Sequence, residues 1–456
     1  MSTAYALTQP RGGAVHVPAH ERVVLANGAT LLIVPSHEVP LISFYAVLRG
    51  GPLGDSSEGV ASIVAGLLEK GAGERDAFAF ADAVEGAGGN FSVVTGSEAL
   101  SVSGQFLARD QRLMLELLGD ALMRPRFERE EFETLRARRI ELIKATKDSD
   151  PAELIGTYGR AFLFGDHPYS RPMNGSEDSL ADITHRQVLD YYASHFGPQR
   201  LILVFAGDVD VAALKRDVTQ SFGSWAKKAA PLAPLREAPR RRGRRVLLID
   251  SPESSQTYFW IANVGVNKSY PNHAALDLVS ALYGGRFTSI LNTELRIKSG
   301  LSYSARAGFT RSSSAGEFAI RSFTDTDNTG KALDLSLETL TRLHRDGVTT
   351  DMLDSARAYV LGQYPLNFET AGDWAAALVE LEFYGLGAEY IDDYAASLES
   401  VTLPLARTVI DSAFPTADDV TIVLVGDAEK IRDVATRYGE VTAMSIMQPS
   451  FTALRA

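Results

Sequence analysis

An arginine and a tyrosine are the residues of this chain whose types and spacing point most directly to chemistry. Arg296 and Tyr303 stand seven positions apart within residues 291–309. A guanidinium is a permanently charged planar donor and a phenol is a neutral donor. The pair could therefore hold a peptide carbonyl, or the oxyanion that develops when that carbonyl is attacked. The structural alternative is a surface arginine at a helix end followed by a half-buried strand tyrosine.

The local pattern predicts which elements position the pair. Residues 288–298 have helical character, Gly300 interrupts it, and polar and apolar residues alternate over 301–309. This order predicts a helix that feeds a strand, with Arg296 near the end of the helix and Tyr303 early in the strand.

The whole run over residues 283–303 resembles the C-terminal-half signature of the pitrilysin-like zinc peptidases, the M16 or inverzincin family that includes mitochondrial processing peptidase and insulin-degrading enzyme. In that family an arginine and a tyrosine at this spacing contact the substrate across the cleft from the metal. The resemblance therefore implies that Arg296 and Tyr303 bind the scissile carbonyl.

The zinc motif of that family is not matched. A catalytic member carries His-x-x-Glu-His on a helix of its N-terminal half, where two imidazoles bind zinc and the glutamate activates water. The corresponding stretch here is 59–71, and its ligand and base positions read Ser62, Ala65 and Gly66. The resemblance implies that this chain holds no catalytic zinc and has no cofactor of its own.

Other metal sites find little support among the eight histidines. His16 and His20 are four positions apart, but Pro18 between them and the valine-rich flanks predict an extended segment rather than one helical face. We expect His167 to be a packed loop residue and His195 a helix-end cap. The chain has no cysteine, which excludes thiolate zinc sites, disulfides and cysteine nucleophiles.

Length and charge indicate a multidomain protein that does not bind nucleic acid or membrane. The 456 residues carry 45 basic and 57 acidic side chains, a net charge of −12. The basic run 240–245 follows an alanine- and proline-rich stretch, which favours an exposed linker over a nucleic-acid patch. No apolar run approaches the roughly 20 residues of a membrane span. Residues 1–10 lack the pattern of a signal peptide, so we expect a soluble protein, either cytoplasmic or periplasmic after removal of a signal.

The linker separates two halves that read as distant copies. Residues 201–209 and 420–428 both predict a buried strand followed by a helix, and their glycines, Gly207 and Gly426, are 219 positions apart. Residues 41–51 and 255–265 likewise predict strands that precede an apolar helix. We predict an N-terminal domain over 1–225, a linker over 226–245 and a C-terminal domain over 246–456.

Within the first half, strands and long helices follow one another in mixed order. Helices are predicted over 55–68, 109–123 and 128–147, and strands over 91–95 and 99–106. This order predicts an α+β fold rather than a doubly wound α/β fold. Two such halves would form the clam shell that the resemblance implies.

The resemblance also implies a partner. Some members of the family work as pairs in which one subunit carries zinc and the other carries the arginine and tyrosine. This chain resembles the second kind, in its bacterial form, because it lacks the polyglycine loop of the mitochondrial non-zinc subunit. The expected function is that of the non-zinc subunit of a heterodimeric metallopeptidase, which binds extended or unfolded peptides. The alternatives are a structural subunit like the core proteins of the respiratory cytochrome complex, and a chaperone-like homodimer that encloses peptides.

Overall fold

Two six-stranded mixed sheets form the framework of the protein in the computed structural model, which describes residues 15–453. Residues 1–10, on which the expectation about a signal peptide rests, lie outside the described part. The first sheet has the order β1-β2-β8-β3-β7-β6, and its strands are β1 Glu21–Val24, β2 Thr30–Pro35, β3 Leu41–Arg49, β6 Asn90–Thr95, β7 Ala99–Leu107 and β8 Leu201–Gly207. A separate short ribbon consists of β4 Gly71–Ala72 and β5 Arg75–Asp76.

The second sheet repeats the arrangement of the first in five of its six strands. Its strands are β9 Arg245–Asp250, β10 Gln256–Gly265, β11 Ala305–Arg311, β12 Gly316–Asp325, β13 Thr421–Gly426 and β14 Glu440–Ser445, in the order β14-β9-β13-β10-β12-β11. The edge strand differs, because β14 is parallel to β9 whereas β1 is antiparallel to β2. The strands β8 and β13, which were predicted to be equivalent, each lie between one parallel and one antiparallel neighbour. The prediction of an α+β fold with two homologous halves is confirmed.

Helices cover both sheets. Those of the first half are α1 Val60–Leu67, α2 Ala77–Gly86, α3 Gln111–Met123, α4 Arg129–Ser149, α5 Ile155–Phe164, α6 Glu177–Asp182, α7 His185–His195 and α8 Val211–Phe222. Those of the second half are α9 His273–Ser280, α10 Ile290–Asn292, α11 Thr329–Asp346, α12 Thr350–Gln363, α13 Ala371–Tyr384, α14 Glu389–Asp392, α15 Tyr394–Glu399, α16 Leu403–Ala413 and α17 Ala428–Thr436. Among the described helices, none combines the length and the apolar character that crossing a membrane requires.

The two halves exchange one helix each, which the sequence did not predict. The helix α5 belongs to the first half but packs on β10 and β13 of the second sheet, where Gly159 lies against the fully buried ring of Trp260. The helix α13 belongs to the second half but packs on β3 and β8 of the first sheet. Each sheet therefore has one face covered by a helix from the other half. The division into two domains at 226–245 stays a prediction.

A buried carboxylate also joins the halves. Glu98 lies in the turn between β6 and β7, and it accepts hydrogen bonds from the Tyr169 hydroxyl at 2.6 Å and from the Ser313 amide at 3.0 Å. Ser313 lies in the turn between β11 and β12 of the other sheet. Because removing either partner would leave a buried polar group unsatisfied, this contact fixes the two hairpins against each other.

The basic run at the end of the predicted linker is occupied by contacts within the chain. Arg240, Arg241, Arg244 and Arg245 donate to backbone carbonyls, and Arg242 pairs with Asp419 at 3.0 Å. Guanidinium groups committed in this way are not free to bind phosphate. These contacts argue against a nucleic-acid patch, while the linker itself stays a prediction.

Candidate functional site

The helix that carries Arg296 begins later than predicted and widens before it ends. It starts at Ile290, and its last turns, Thr293–Lys298, have π geometry. Ser299 donates from its amide to the carbonyl of Glu294, five residues earlier. Leu295 is fully buried and anchors the segment in the core, while Arg296 is only half-buried. Single π turns occur often at functional sites, because the extra residue changes the direction of the side chains that follow.

Tyr303 precedes the strand instead of lying within it. The strand β11 begins at Ala305, and Tyr303 stands in the preceding bend with 74% of its surface exposed. Its buried neighbour Ser302 fixes this bend, because Ser322 of β12 donates to the Ser302 hydroxyl and to the Ser304 carbonyl, both at 2.9 Å. The prediction that Tyr303 lies early in the strand is thus wrong, and the half-buried position of the structural alternative is not observed either, because the side chain that follows the anchored serine points outward.

One asparagine connects the segments around the pair. The side chain of Asn292, which is 5% exposed, donates to the carbonyl of Phe287 at 2.7 Å and accepts from the amide of Ala305 at 3.2 Å. It therefore ties the loop before α10, the helix itself and the start of β11 to one another. The positions of Arg296 and Tyr303 depend on this buried amide.

The structure brings Arg296 and Tyr303 into contact. The Arg296 Cζ atom lies 4.4 Å from the centroid of the Tyr303 ring and 4.9 Å from that of Phe287. Both rings are exposed, and the guanidinium uses none of its donors on another described residue. Stacking on the rings restricts the guanidinium without occupying its N–H groups. The pair is thereby preorganised to donate to an oxygen that approaches from solvent.

A small cavity of about 220 Å³ adjoins this pair, and sequence reasoning missed its other members. Arg286, Arg306 and Tyr359 line it together with Arg296. Burial lowers the pKa of Arg286, which donates to the Ser355 carbonyl at 3.1 Å. Arg286 lies within the run that carries the family resemblance, so the sequence could have indicated that it belongs to this site. Tyr359 lies on α12, and only the tertiary fold brings it next to Arg296.

The three zinc-motif positions lie together on α1, and they do not fit a metal. Ser62 and Ala65 are 2% exposed. The Ser62 hydroxyl donates to Asn174 Oδ1 at 2.9 Å and accepts a short hydrogen bond from Arg139. A Cβ atom added at Gly66 would lie 2.8 Å from Arg139 Nη2. A guanidinium thus fills the space beside the positions where the family places imidazoles, and its positive charge opposes a divalent cation.

Arg139 was also missed, although the sequence contained a signal. On α4, Phe132, Leu135, Arg139 and Ile143 recur at intervals of three and four residues, which places the arginine on the apolar face. Much of the surface of α4 is exposed, but its inward face packs on α1, and this contact brings Arg139 to Ser62.

The helix α1 starts at Val60, five residues later than predicted. Gly59 has φ +95°, a left-handed conformation that a right-handed helix cannot include. Asp55, five residues before the helix, caps its N-terminus with its side chain. Its carboxylate accepts from the amides of Gly59 at 3.0 Å and Ala61 at 2.8 Å. Burial raises the pKa of Asp55 to about 7. The two hydrogen bonds lower the pKa, because they favour the ionised form, but the effect of burial is larger.

The histidines have the structural roles expected of them. His167 caps a short helical turn by accepting from the Tyr169 amide, and His195 ends α7 stacked on Tyr191. His16 and His20 lie in a segment without helix or strand. Between residues 15 and 453, no three histidine, aspartate or glutamate side chains are grouped so that they could hold a metal ion.

Comparison with known proteins agrees with the motif analysis. Residues 49–171 match the family model described as Insulinase (Peptidase family M16), and residues 182–360 match the one described as Peptidase M16 inactive domain. An uncharacterized zinc protease of Mycobacterium leprae is 26% identical over 334 residues, which cover 73% of this chain and 75% of that protein. A non-peptidase homolog of Helicobacter pylori is 23% identical and covers 87% of this chain and 91% of its own length.

Solved structures show the same fold. A peptidase M16 inactive domain from Pseudomonas fluorescens superposes with a TM-score of 0.84 at 23% identity, over 90% of this chain and 98% of that one. A protease from Helicobacter pylori gives a TM-score of 0.81 at 20% identity, over 90% and 99% of the two chains. With both family models matched in order and the fold shared along nearly the whole length, this chain belongs to the peptidase M16 family.

Proposed function

We propose that this chain is the non-zinc subunit of a heterodimeric M16 metallopeptidase, and that it binds the scissile carbonyl of a peptide with Arg296 and Tyr303. The observation that carries the proposal is the stacked pair itself: a half-buried guanidinium and an exposed phenol, held by buried anchors, with no hydrogen-bond partner among the described residues. A purely structural surface has no need to keep a guanidinium ordered and free. The homologous partner supplies the metal site that Ser62, Ala65 and Gly66 do not provide.

The work of this chain is to orient the carbonyl and to stabilise charge. Zinc bound by the partner would supply an activated water when the complex is assembled. Arg296 would donate to the carbonyl oxygen with its planar fork, and the Tyr303 hydroxyl would donate a second hydrogen bond. Both bonds strengthen as the oxygen becomes negative. Losing one donor of this kind typically slows a reaction by roughly 10²- to 10³-fold.

The substrate class follows from the same geometry. A backbone carbonyl has two lone pairs, so it is best able to accept from both donors when it makes no hydrogen bond within a helix or sheet of its own. We therefore propose short or unfolded peptides as substrates, which pair by β-addition with a sheet edge of the partner. Enclosure between two subunits would exclude folded proteins.

The first experiment tests assembly and activity. The purified chain should cleave no peptide alone, and mixing with a homologous subunit that carries His-x-x-Glu-His should give a one-to-one complex with chelator-sensitive activity. Light scattering and a quenched-fluorescence peptide assay would measure both. Tightly bound zinc and proteolysis in the isolated chain would contradict the proposal; a stable homodimer indifferent to the partner would favour the chaperone-like alternative.

The second experiment tests the pair. Arg296→Ala and Tyr303→Phe should leave the complex assembled but lower its kcat/KM by about 10-fold or more. Arg186→Ala is a control for the same chemical change, because this arginine is exposed on α7, away from the pair, where it forms an ion pair with Asp190. Wild-type turnover from both assembled variants would mean that the pair is structural and that the subunit is a scaffold.

A further inference from the structure

A cavity of about 450 Å³ lies beside the positions where the family's zinc motif would stand. Its walls come from α4, α5 and the loop at 170–175. Three arginines line it, Arg139, Arg160 and Arg171, against a single acidic residue, Glu153. The exposed residues among the lining, including Arg171 and Glu153, form a mouth that opens to solvent. The cavity is therefore accessible and has an excess of positive charge.

Arg139 is a half-buried cation of this cavity with no carboxylate partner among the described residues, whereas Arg171, which also lacks one, is exposed to solvent. Arg160 lies 3.6 Å from a Glu317 oxygen, and Arg171 donates to the Asp55 carbonyl at 3.1 Å. Arg139 instead donates to the Ser62 hydroxyl, and no carboxylate among residues 15–453 lies within ion-pair distance of it. Burial lowers its pKa, with no neighbouring charge acting in the opposite direction. Since a half-buried charge is costly when it is unpaired, the site favours an anion that would neutralise it.

The rest of the lining selects among anions. Leu142, Ile143, Leu154, Met173 and Phe451 form an apolar wall next to the arginines. An inorganic ion would leave this wall against water, whereas a peptide end that carries an apolar side chain would cover it. The volume lies within the range of small-ligand sites and admits roughly two residues.

We propose that this cavity binds the C-terminal carboxylate of a peptide, with Arg139 as the charged donor and the apolar wall holding the last side chain. A guanidinium can bind a carboxylate through two parallel hydrogen bonds, so the anion can be held here without a metal ion. Asn174, which accepts from Ser62, would keep the hydroxyl turned away from the anion. The site is formed by residues of the first half together with Phe451 and does not involve Arg296 or Tyr303, so the proposal can fail or succeed independently of the proposed peptidase role.

The test is direct binding to the isolated full chain by calorimetry. The probes are N-acetyl-Leu-Phe with a free carboxylate, the same peptide as its C-terminal amide, N-acetyl-Asp-Phe-amide and inorganic phosphate. We expect the free acid to bind at least 10-fold more tightly than its amide. Preference for the aspartyl amide would assign the site to acidic side chains and overturn the C-terminal assignment. Equal binding of phosphate and the free acid would reduce the site to an adventitious ion only.

Variants assign the effect to one residue. Arg139→Gln should weaken binding of the free acid at least 10-fold, and Arg139→Lys should retain part of it. Arg138→Gln makes the same change in net charge one residue earlier on α4, at an exposed position, and should bind as the wild type does. Should Arg139→Gln fail to fold, Arg171→Gln at the mouth is expected to weaken the same probe. The proposal would be overturned if folded Arg139→Gln bound the free acid as tightly as wild type. If Arg139→Gln does not fold, wild-type affinity of Arg171→Gln for the same probe would overturn it.

Discussion

The guanidinium of Arg296 lies over the ring of Tyr303, 4.4 Å from its centroid. The tyrosine therefore has two separable parts: a hydroxyl that can donate to a ligand and a ring that orders the neighbouring arginine. A contact between a cation and an exposed ring contributes about 0.5–1 kcal/mol, which corresponds to a factor of about 2 to 5 in a rate or equilibrium constant. The functions of the two residues are consequently coupled.

This coupling predicts two results. The loss of kcat/KM in the double variant Arg296→Ala/Tyr303→Phe should be smaller than the product of the two single fold-losses, because both donors act on one carbonyl. The kcat/KM of the Tyr303→Ala complex should be about 2- to 5-fold lower than that of the Tyr303→Phe complex, because Tyr303→Ala also removes the ring beneath Arg296. Steady-state kcat/KM of the assembled complexes measures both. Equal activity of Tyr303→Ala and Tyr303→Phe would show that the ring does not order the arginine.

Restoring the zinc motif by sequence alone should fail. In the variant Ser62→His/Ala65→Glu/Gly66→His, the new imidazole at position 66 meets Arg139, since even a Cβ atom there lies 2.8 Å from Nη2. We expect no zinc at stoichiometric level and a lower melting temperature, because overpacking of this kind costs about 1–3 kcal/mol. Adding Arg139→Ala should recover part of the stability. Metal analysis that finds one zinc per chain with Arg139 still present would contradict the prediction.

The exchanged helix α5 allows a matched pair of glycine substitutions. Gly159→Ala should destabilise the protein, because its new methyl group would lie 2.8 Å from atoms of the fully buried Trp260 ring. Gly362→Ala on α12 has open space around it and should stabilise by up to about 1 kcal/mol, as helix propensity predicts. Thermal melts of the two variants measure the difference. A Gly159→Ala protein as stable as wild type would mean that α5 does not pack on the second sheet in this way.

The capping carboxylate of Asp55 predicts a pH dependence. Its pKa in the folded chain is about 7, above the value of about 3.9 expected in the unfolded chain. Between pH 4 and pH 7 the unfolded chain has released this proton and the folded chain keeps it, so the contribution of this group to stability falls as pH rises. Asp55→Asn cannot titrate. The difference in melting temperature between wild type and Asp55→Asn should thus shrink from pH 5 to pH 8; a difference that grows with pH would show that the folded carboxylate has a lowered pKa.

Strands and helices of strong periodicity could be predicted from the sequence. The buried runs that became β3 and β8 begin where predicted, at Leu41 and Leu201, and end two residues earlier, because an apolar strand covered on both faces has a continuous local signal. The start of α1 was misplaced because its boundary depends on the backbone conformation of Gly59, which no side-chain pattern specifies. Tyr303 was placed inside a strand because alternation continues through the bend, which is fixed by the hydrogen bond between Ser302 and Ser322 of β12.

The sequence by itself determined which residues stand at the motif positions, and hence that the zinc ligands are replaced while Arg296 and Tyr303 are present. Those facts are local, since each motif lies within about one helix and its adjoining loop. Only the tertiary structure decided that each half covers the sheet of the other with α5 and α13, and that Arg139 reaches Ser62 across 77 positions. The physical reason is that these contacts join segments that lie far apart in the chain. An apolar helix face can pack on more than one partner, and only the complete fold selects which one it covers.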